Sequence, residues 1–178
     1  GAWHSVTSSV CTDGRTDGWI YRKDTIRSQR NKKNKSVAKI NAEADFQRRA
    51  AEANIAPEVM HVDSEKKRIF MEPMQVRIVD VLKSGSKRFA EDLRHIMDTL
   101  DHIGILHNDG NALNLMLNDK DELRIIDFGL AKKIDKKLRK KWNNQPNIEV
   151  TMHMLIKGLR KYKINIWKST KFKTRTCP

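Results

Sequence analysis

Apolar residues recur at three- and four-residue spacing through Phe89, Leu93, Ile96, Met97, Leu100 and Ile103, a period that predicts a long helix with one stripe facing a core. The same period in Met152, Leu155, Ile156 and Leu159 predicts a last helix over residues 148–159. Residues 37–53 are rich in Ala, Glu, Arg and Gln and contain no Gly or Pro, so propensity predicts a third helix, with Pro57 just beyond its end.

Alternating stretches fall between these helices. Residues 6–11 alternate weakly and residues 19–23 alternate again, with Asp13-Gly14 and Asp17-Gly18 between them as turn signals. Residues 4–23 are therefore expected to form a β-hairpin. A polar, basic linker follows over residues 27–36. Residues 59–62 and 68–71 predict two short strands, and Pro73 then breaks the pattern and marks a hinge. Residues 115–117 and 123–126 predict two more, joined by a tight turn at Asn118-Asp-Lys-Asp. No internal repeat is visible.

Composition narrows the class. The 178 residues are 38% hydrophobic and 33% charged, with a mean hydropathy of −0.69. A chain of that length can bury a real core. No apolar run approaches the roughly 18 residues a membrane-spanning helix needs. The first residues have neither a basic nor an apolar leader region, and Cys11 and Cys177 are the two cysteines. Both features predict a reducing, intracellular and cytoplasmic setting.

The net charge of +14 is uneven. Residues 132–178 carry 12 Lys and 3 Arg against Asp135 and Glu149, whereas residues 1–131 are close to neutral. This basic quarter attracts polyanions, which makes nucleic acid, an acidic protein or an anionic membrane surface the candidates for residues 132–178. A solvated helix face accounts equally well for residues 132–141, and residues 168–178 look like a basic tail.

Chemistry concentrates in His107-Asn-Asp-Gly-Asn-Ala-Leu-Asn114 and Ile125-Ile-Asp-Phe-Gly129. His107, Asp109 and Asn114 in the first, with Asp127, Phe128 and Gly129 in the second, resemble the catalytic loop and metal-binding motif of the protein-kinase-like superfamily. The five-residue step from Asp109 to Asn114 and the thirteen-residue step to Asp127 match that family. The resemblance implies an α+β fold of two lobes, a small sheet-plus-helix lobe over residues 1–71 and a hinge with a truncated, mostly helical lobe over residues 72–167. ATP and Mg2+ would bind between them. It further implies that Asn114 and Asp127 hold the metal, that Asp109 orients a hydroxyl and accepts its proton, and that His107 braces the loop.

The N-terminal half completes the comparison. Lys23, at the end of the second predicted strand, stands twenty residues before Glu43, which suits the family's strand lysine and helix glutamate. Lys39 looks similar in Val-Ala-Lys-Ile but belongs to the predicted helix, and Glu52 lies too near that helix's end. Gly1, Trp3 and Val6 resemble the second half of a Gly-rich phosphate loop, whose first strand would precede this chain. Phe70-Met-Glu-Pro-Met74 resembles the adenine-binding segment, with Met71 as gatekeeper, Glu72 and Met74 contacting adenine through their backbones, and Met116 beneath the purine.

Other features imply a minimal member. Asn111 replaces the lysine common in Ser/Thr kinases, no Ala-Pro-Glu motif follows, and 49 residues remain after Gly129. Residues 43–59 and 126–130 look most like the small kinase/ATPase of the KEOPS tRNA-modification complex, with RIO-type and small viral or effector kinases nearby. The expected activity is phosphotransfer to Ser or Thr hydroxyls of a protein, autophosphorylation included. An ATPase or pseudokinase scaffold and a small-molecule phosphotransferase are the rival readings.

Overall fold

A computed structural model describes the backbone of residues 3–6 and 20–24, and residues 37–83 and 86–166 in full. The first unit is a four-stranded antiparallel sheet with one helix against it. Its strands are β1 (Trp3–Val6), β2 (Ile20–Asp24), β3 (Val59–Asp63) and β4 (Arg68–Met71), in the order β1-β2-β4-β3. β1 and β2 pair antiparallel with Trp3 opposite Lys23 and Val6 opposite Ile20, so the expected hairpin is present. Its first strand runs over residues 3–6, earlier than residues 6–11, of which 7–11 lie outside the described residues with the two Asp-Gly turns and the 27–36 linker.

Helix α1 (Val37–Glu52) ends within a residue of its expected boundary. Its low hydrophobic content conceals a packed face: Ile40, Glu43, Ala44, Gln47 and Ala50 are buried at helical spacing. Ile40 and Ala44 pack with Ile69 and Met71 of β4 and with Met74, Met116 and Ile126. Gln47 Nε2 donates to the Pro57 carbonyl at 3.2 Å and reaches the Met71 sulfur at 3.4 Å, which fastens the helix to the end of β4.

Beyond Pro73 the chain forms β5 (Val76–Arg77) and the single-turn helix α2 (Ile78–Val81), two elements too short to leave a periodic signal. Helix α3 (Lys87–His102) follows, its start capped by Ser86, whose side chain accepts from Phe89 N at 3.1 Å. Its apolar stripe lies at the centre of the main core with Leu115, Ile125, Phe128, Leu155 and Leu159. After it come β6 (Ile105–Leu106), β7 (Leu115–Leu117) and β8 (Leu123–Ile125). β7 and β8 form the expected hairpin, with β5 on the outer edge of β7. β9 (Lys132–Lys133) pairs with β6, α4 spans Lys136–Lys141, and a wide helical turn at Asn147–Thr151 leads into α5 (Met152–Lys161).

The arrangement is the α+β, kinase-like fold that the motifs imply. Residues 168–178, the expected basic tail, lie outside the described residues.

Candidate active site

The segment 107–114 is a loop strung between β6 and β7, and hydrogen bonds set its course. The His107 N–H donates to Asn147 Oδ1 at 3.0 Å. Asn108 adopts a left-handed conformation, φ 61°, which Asn tolerates better than most residues, and its N–H donates to Thr151 Oγ1 at 3.3 Å. The next residue, Asp109, is partly exposed. Its Oδ1 accepts the Asn111 N–H and its Oδ2 accepts from Asn114 Nδ2, both at 3.0 Å. The carboxylate is thus gripped at both oxygens and held in one orientation.

Asn114 is buried, 2% exposed, at the end of the tight turn Ala112–Asn114. Its carbonyl accepts the Ile126 N–H at 2.9 Å, which joins the loop to the segment carrying Asp127. With its Nδ2 bound to Asp109, Asn114 Oδ1 has no hydrogen-bond partner among the described residues. A buried carboxamide oxygen in that condition beside a carboxylate-bearing segment is a hard donor suited to Mg2+. Asp127 supplies the second such group. It is a non-glycine residue in left-handed geometry, φ 70° and ψ 68°, and its Oδ1 accepts the Gly129 N–H at 3.3 Å. Backbone strain of this kind persists where the surroundings enforce it, commonly at functional sites.

His107 binds the two segments from the inside. It is fully buried, its ring nitrogens face the Ile126 carbonyl and the Asp109 carbonyl, each at 3.2 Å, and its edge meets the Phe128 ring with centroids 4.8 Å apart. Burial depresses its pKa below the usual histidine value, against the opposing pull of Asp109, Asp127 and the two carbonyls. The neutral ring can donate to one carbonyl at a time, which suits the bracing role expected of it.

The remaining expected residues fall as follows. Glu43 lies on the buried face of α1, 3% exposed. Lys23 sits in β2 opposite Ile69, whose side chain packs beside Ile40 and Ala44 of α1; the side chain of Lys23 is outside the described ones. Trp3 and Val6 are placed as backbone in β1, and Gly1 lies outside the described residues. Met71, Met74 and Met116 are gathered in one buried cluster. Glu72 N donates to the Glu58 carbonyl at 2.8 Å, while the Glu72 carbonyl and the Met74 N–H have no hydrogen-bond partner among the described residues.

A cavity of about 970 Å3 opens among Glu52, Ile55, Glu72, Asp92, His95 and Asn118. None of Asp109, Asn114 and Asp127 lines it, so it is separate from this group.

The supporting residues Asp101, Asn147 and Thr151 carry no sequence signal of their own. Asp101 sits where the α3 stripe would place an apolar side chain, and an acidic residue on a core face was the available hint.

Residues 30–146 match the ABC1 atypical kinase-like domain. The chain belongs to that family. Over 81 residues it is 35% identical to a probable bifunctional tRNA threonylcarbamoyladenosine biosynthesis protein of Methanococcus maripaludis, a match covering 45% of this chain and 14% of the relative. Over 65 residues it is 40% identical to a probable serine/threonine-protein kinase of Zea mays, covering 35% of this chain and 10% of that protein. The chain thus spans a small part of the curated relatives it matches. Among the described residues no helix is long and apolar enough to cross a membrane.

Proposed function

We propose that this member of the ABC1 family is an ATP- and Mg2+-dependent phosphotransferase acting on Ser or Thr hydroxyls of a protein, its own chain included. The observation that carries the reading is the Asp109 carboxylate gripped by the Asn111 N–H and Asn114 Nδ2, with Asn114 bonded in turn to the residue before Asp127. Phosphoryl transfer asks the protein mainly to position groups and neutralise charge, and a carboxylate fixed at both oxygens suits the first demand.

In this reading Asp109 orients the acceptor hydroxyl and takes its proton. Asn114 Oδ1 and the Asp127 carboxylate would hold Mg2+, which when bound would supply charge neutralisation for the phosphates. By the family resemblance, Lys23 with Glu43 would serve the α- and β-phosphates, and Gly1, Trp3 and Val6 would belong to the phosphate loop. The Glu72 carbonyl and the Met74 N–H take the adenine edge, while Met71 and Met116 border the purine. The division of labour follows the proposed boundaries, residues 1–71 on one side of the nucleotide and residues 72–167 on the other.

A second reading, ATP hydrolysis by the same residues, is favoured by Asn111. Its Oδ1 accepts the Leu113 N–H at 3.1 Å and so serves the turn, at the position where Ser/Thr kinases commonly carry a lysine.

The test is nucleotide binding and label transfer compared in Asp109→Ala. The proposal expects transfer to be lost and ATP affinity to stay within a few-fold; equal loss of both would remove Asp109 from the role of base.

A further inference from the structure

Charge is arranged differently on the two halves of the molecule. On α3 the exposed cations have partners one turn away: Lys87 with Glu91, Arg88 with Asp92 and Arg94 with Asp98. The sequence Lys136-Lys-Leu-Arg-Lys-Lys141 of α4 has no such arrangement. Lys136 and Lys140, and Lys137 and Lys141, stand at like-charge i, i+4 spacing, and Lys132 and Lys133 of β9 lie just before them. All six of these lysines are exposed, and none has an ion pair among the described residues. The nearest acid, Asp135, is used as the helix cap, its Oδ1 accepting the Leu138 N–H at 2.7 Å. Arg139 points the other way, donating to the Asp101 carbonyl at 3.4 Å.

Six such lysines on ten residues repel one another in the isolated chain, and an external polyanion relieves that repulsion. An aromatic ring accompanies them. Trp142 is partly exposed, with Lys141 Nζ 4.9 Å from its ring centroid, and exposed Asn143, Asn144 and Gln145 follow. Lysine point charges beside an aromatic side chain and free amides fit a single-stranded nucleic acid, whose phosphates meet the cations while a base stacks. An acidic peptide would use the charges and leave Trp142 idle.

We infer that β9, α4 and Trp142 form a docking ledge for single-stranded nucleic acid, with RNA as the probe. Its position adds meaning to the assignment. Lys132 and Lys133 pair with Leu106 and Ile105, so the ledge is one strand away from the chain that enters His107 and Asp109. The inference stands apart from phosphotransfer, because it concerns binding that needs no ATP.

The experiment measures binding of the full chain to a fluorescent oligo(U) RNA across a salt series, without nucleotide. The variant carries Lys136→Gln, Lys137→Gln, Lys140→Gln and Lys141→Gln; the charge-matched control carries Lys39→Gln, Lys66→Gln, Lys87→Gln and Lys120→Gln. Losing four phosphate contacts makes the slope of log K against log salt shallower by about 3, since each contact on a single strand contributes roughly 0.7. We expect that change, with at least tenfold weaker binding at low salt, in the ledge variant, and a change under twofold in the control. Trp142→Ala is expected to weaken binding about fivefold or more with the slope unchanged, the signature of lost stacking. Equal losses in ledge variant and control would overturn the ledge as the site. Unchanged binding in Trp142→Ala, with poly-glutamate displacing the RNA at equal charge concentration, would overturn RNA in favour of an acidic protein.

Discussion

Asn147 donates two hydrogen bonds to one oxygen of Asp101, from its backbone N–H and from Nδ2, each 2.8 Å long. The same side chain accepts the His107 N–H, and its Nδ2 also reaches the Ile105 carbonyl at 2.7 Å. A residue with no exposed surface therefore links α3, β6 and the start of the candidate catalytic loop. Asn147→Leu keeps the backbone N–H donation to Asp101 but removes the Nδ2 donations to Asp101 and to the Ile105 carbonyl and leaves the His107 N–H without its acceptor. Leaving buried groups unpaired in this way costs about 1–3 kcal/mol. Urea unfolding of Asn147→Leu should fall by that amount; a loss under about 1 kcal/mol would mean that water replaces the carboxamide.

Stability should also depend on the ionisation of His107. Burial depresses its folded pKa, so the folded state binds fewer protons than the unfolded chain as the pH falls. The contribution of His107 is complete above its unfolded pKa of about 6.5. It is lost progressively as the pH drops from there through the lower folded value. Unfolding free energy measured from pH 8 to pH 5 should decline in the parent chain and decline less in His107→Gln. Parallel curves for the two proteins would show that the ring is not held neutral.

Much of this molecule was legible in its sequence, and the gaps have physical causes. Helices α1, α3 and α5 carry several turns, enough for a periodic signal, and the short strands of the β3–β4 pair and the β7–β8 hairpin were legible as apolar stretches flanking a polar turn. β5, α2, β6 and β9 have two to four residues, and such short pieces exist through partners distant in sequence, as β9 does through β6. The spacing of Asp109, Asn114 and Asp127 was readable because one loop and one hairpin connect them. Asn147 was not, because its partners lie 40 and 46 residues away.

Gly110 was equally silent, yet it is where the loop meets α5. A Cβ on Gly110 would lie 2.0 Å from the Met154 Cβ, and Gly158 crosses the same spot with its own Cβ position 3.1 Å from the Gly110 carbonyl. Gly110→Ala must push α5 or the loop aside, at a cost of about 1–3 kcal/mol. Beside Asp109, that shift should lower turnover more than it lowers ATP affinity. The combination Gly110→Ala with Met154→Gly removes the closest contact, though the Cα and carbonyl carbon at 154 still lie 2.9 Å from the new Cβ, and should recover part of the turnover. No recovery would mean that the loop is displaced by something other than this contact.

Replacing Asp109 conservatively separates shape from chemistry. Asp109→Asn keeps one oxygen for the Asn111 N–H, gives up the bond from Asn114 Nδ2 and removes the group proposed to take the proton. The rate of transfer should fall about 10²–10⁴-fold with folding stability within about 1 kcal/mol of the parent. A fall under tenfold would make Asp109 a structural residue of the loop.

The central claim is that Asp109, Asn114 and Asp127 act together on ATP. The direct measurement is incubation with γ-labelled ATP and Mg2+, counting labelled protein and released phosphate for the parent chain and for Asp127→Ala. The account predicts label on the chain or on an added protein, abolished by Asp127→Ala and by removal of Mg2+; released phosphate without labelled protein would select hydrolysis. Labelling or release that persists unchanged in Asp127→Ala, or neither product from a parent chain that binds ATP, would contradict it.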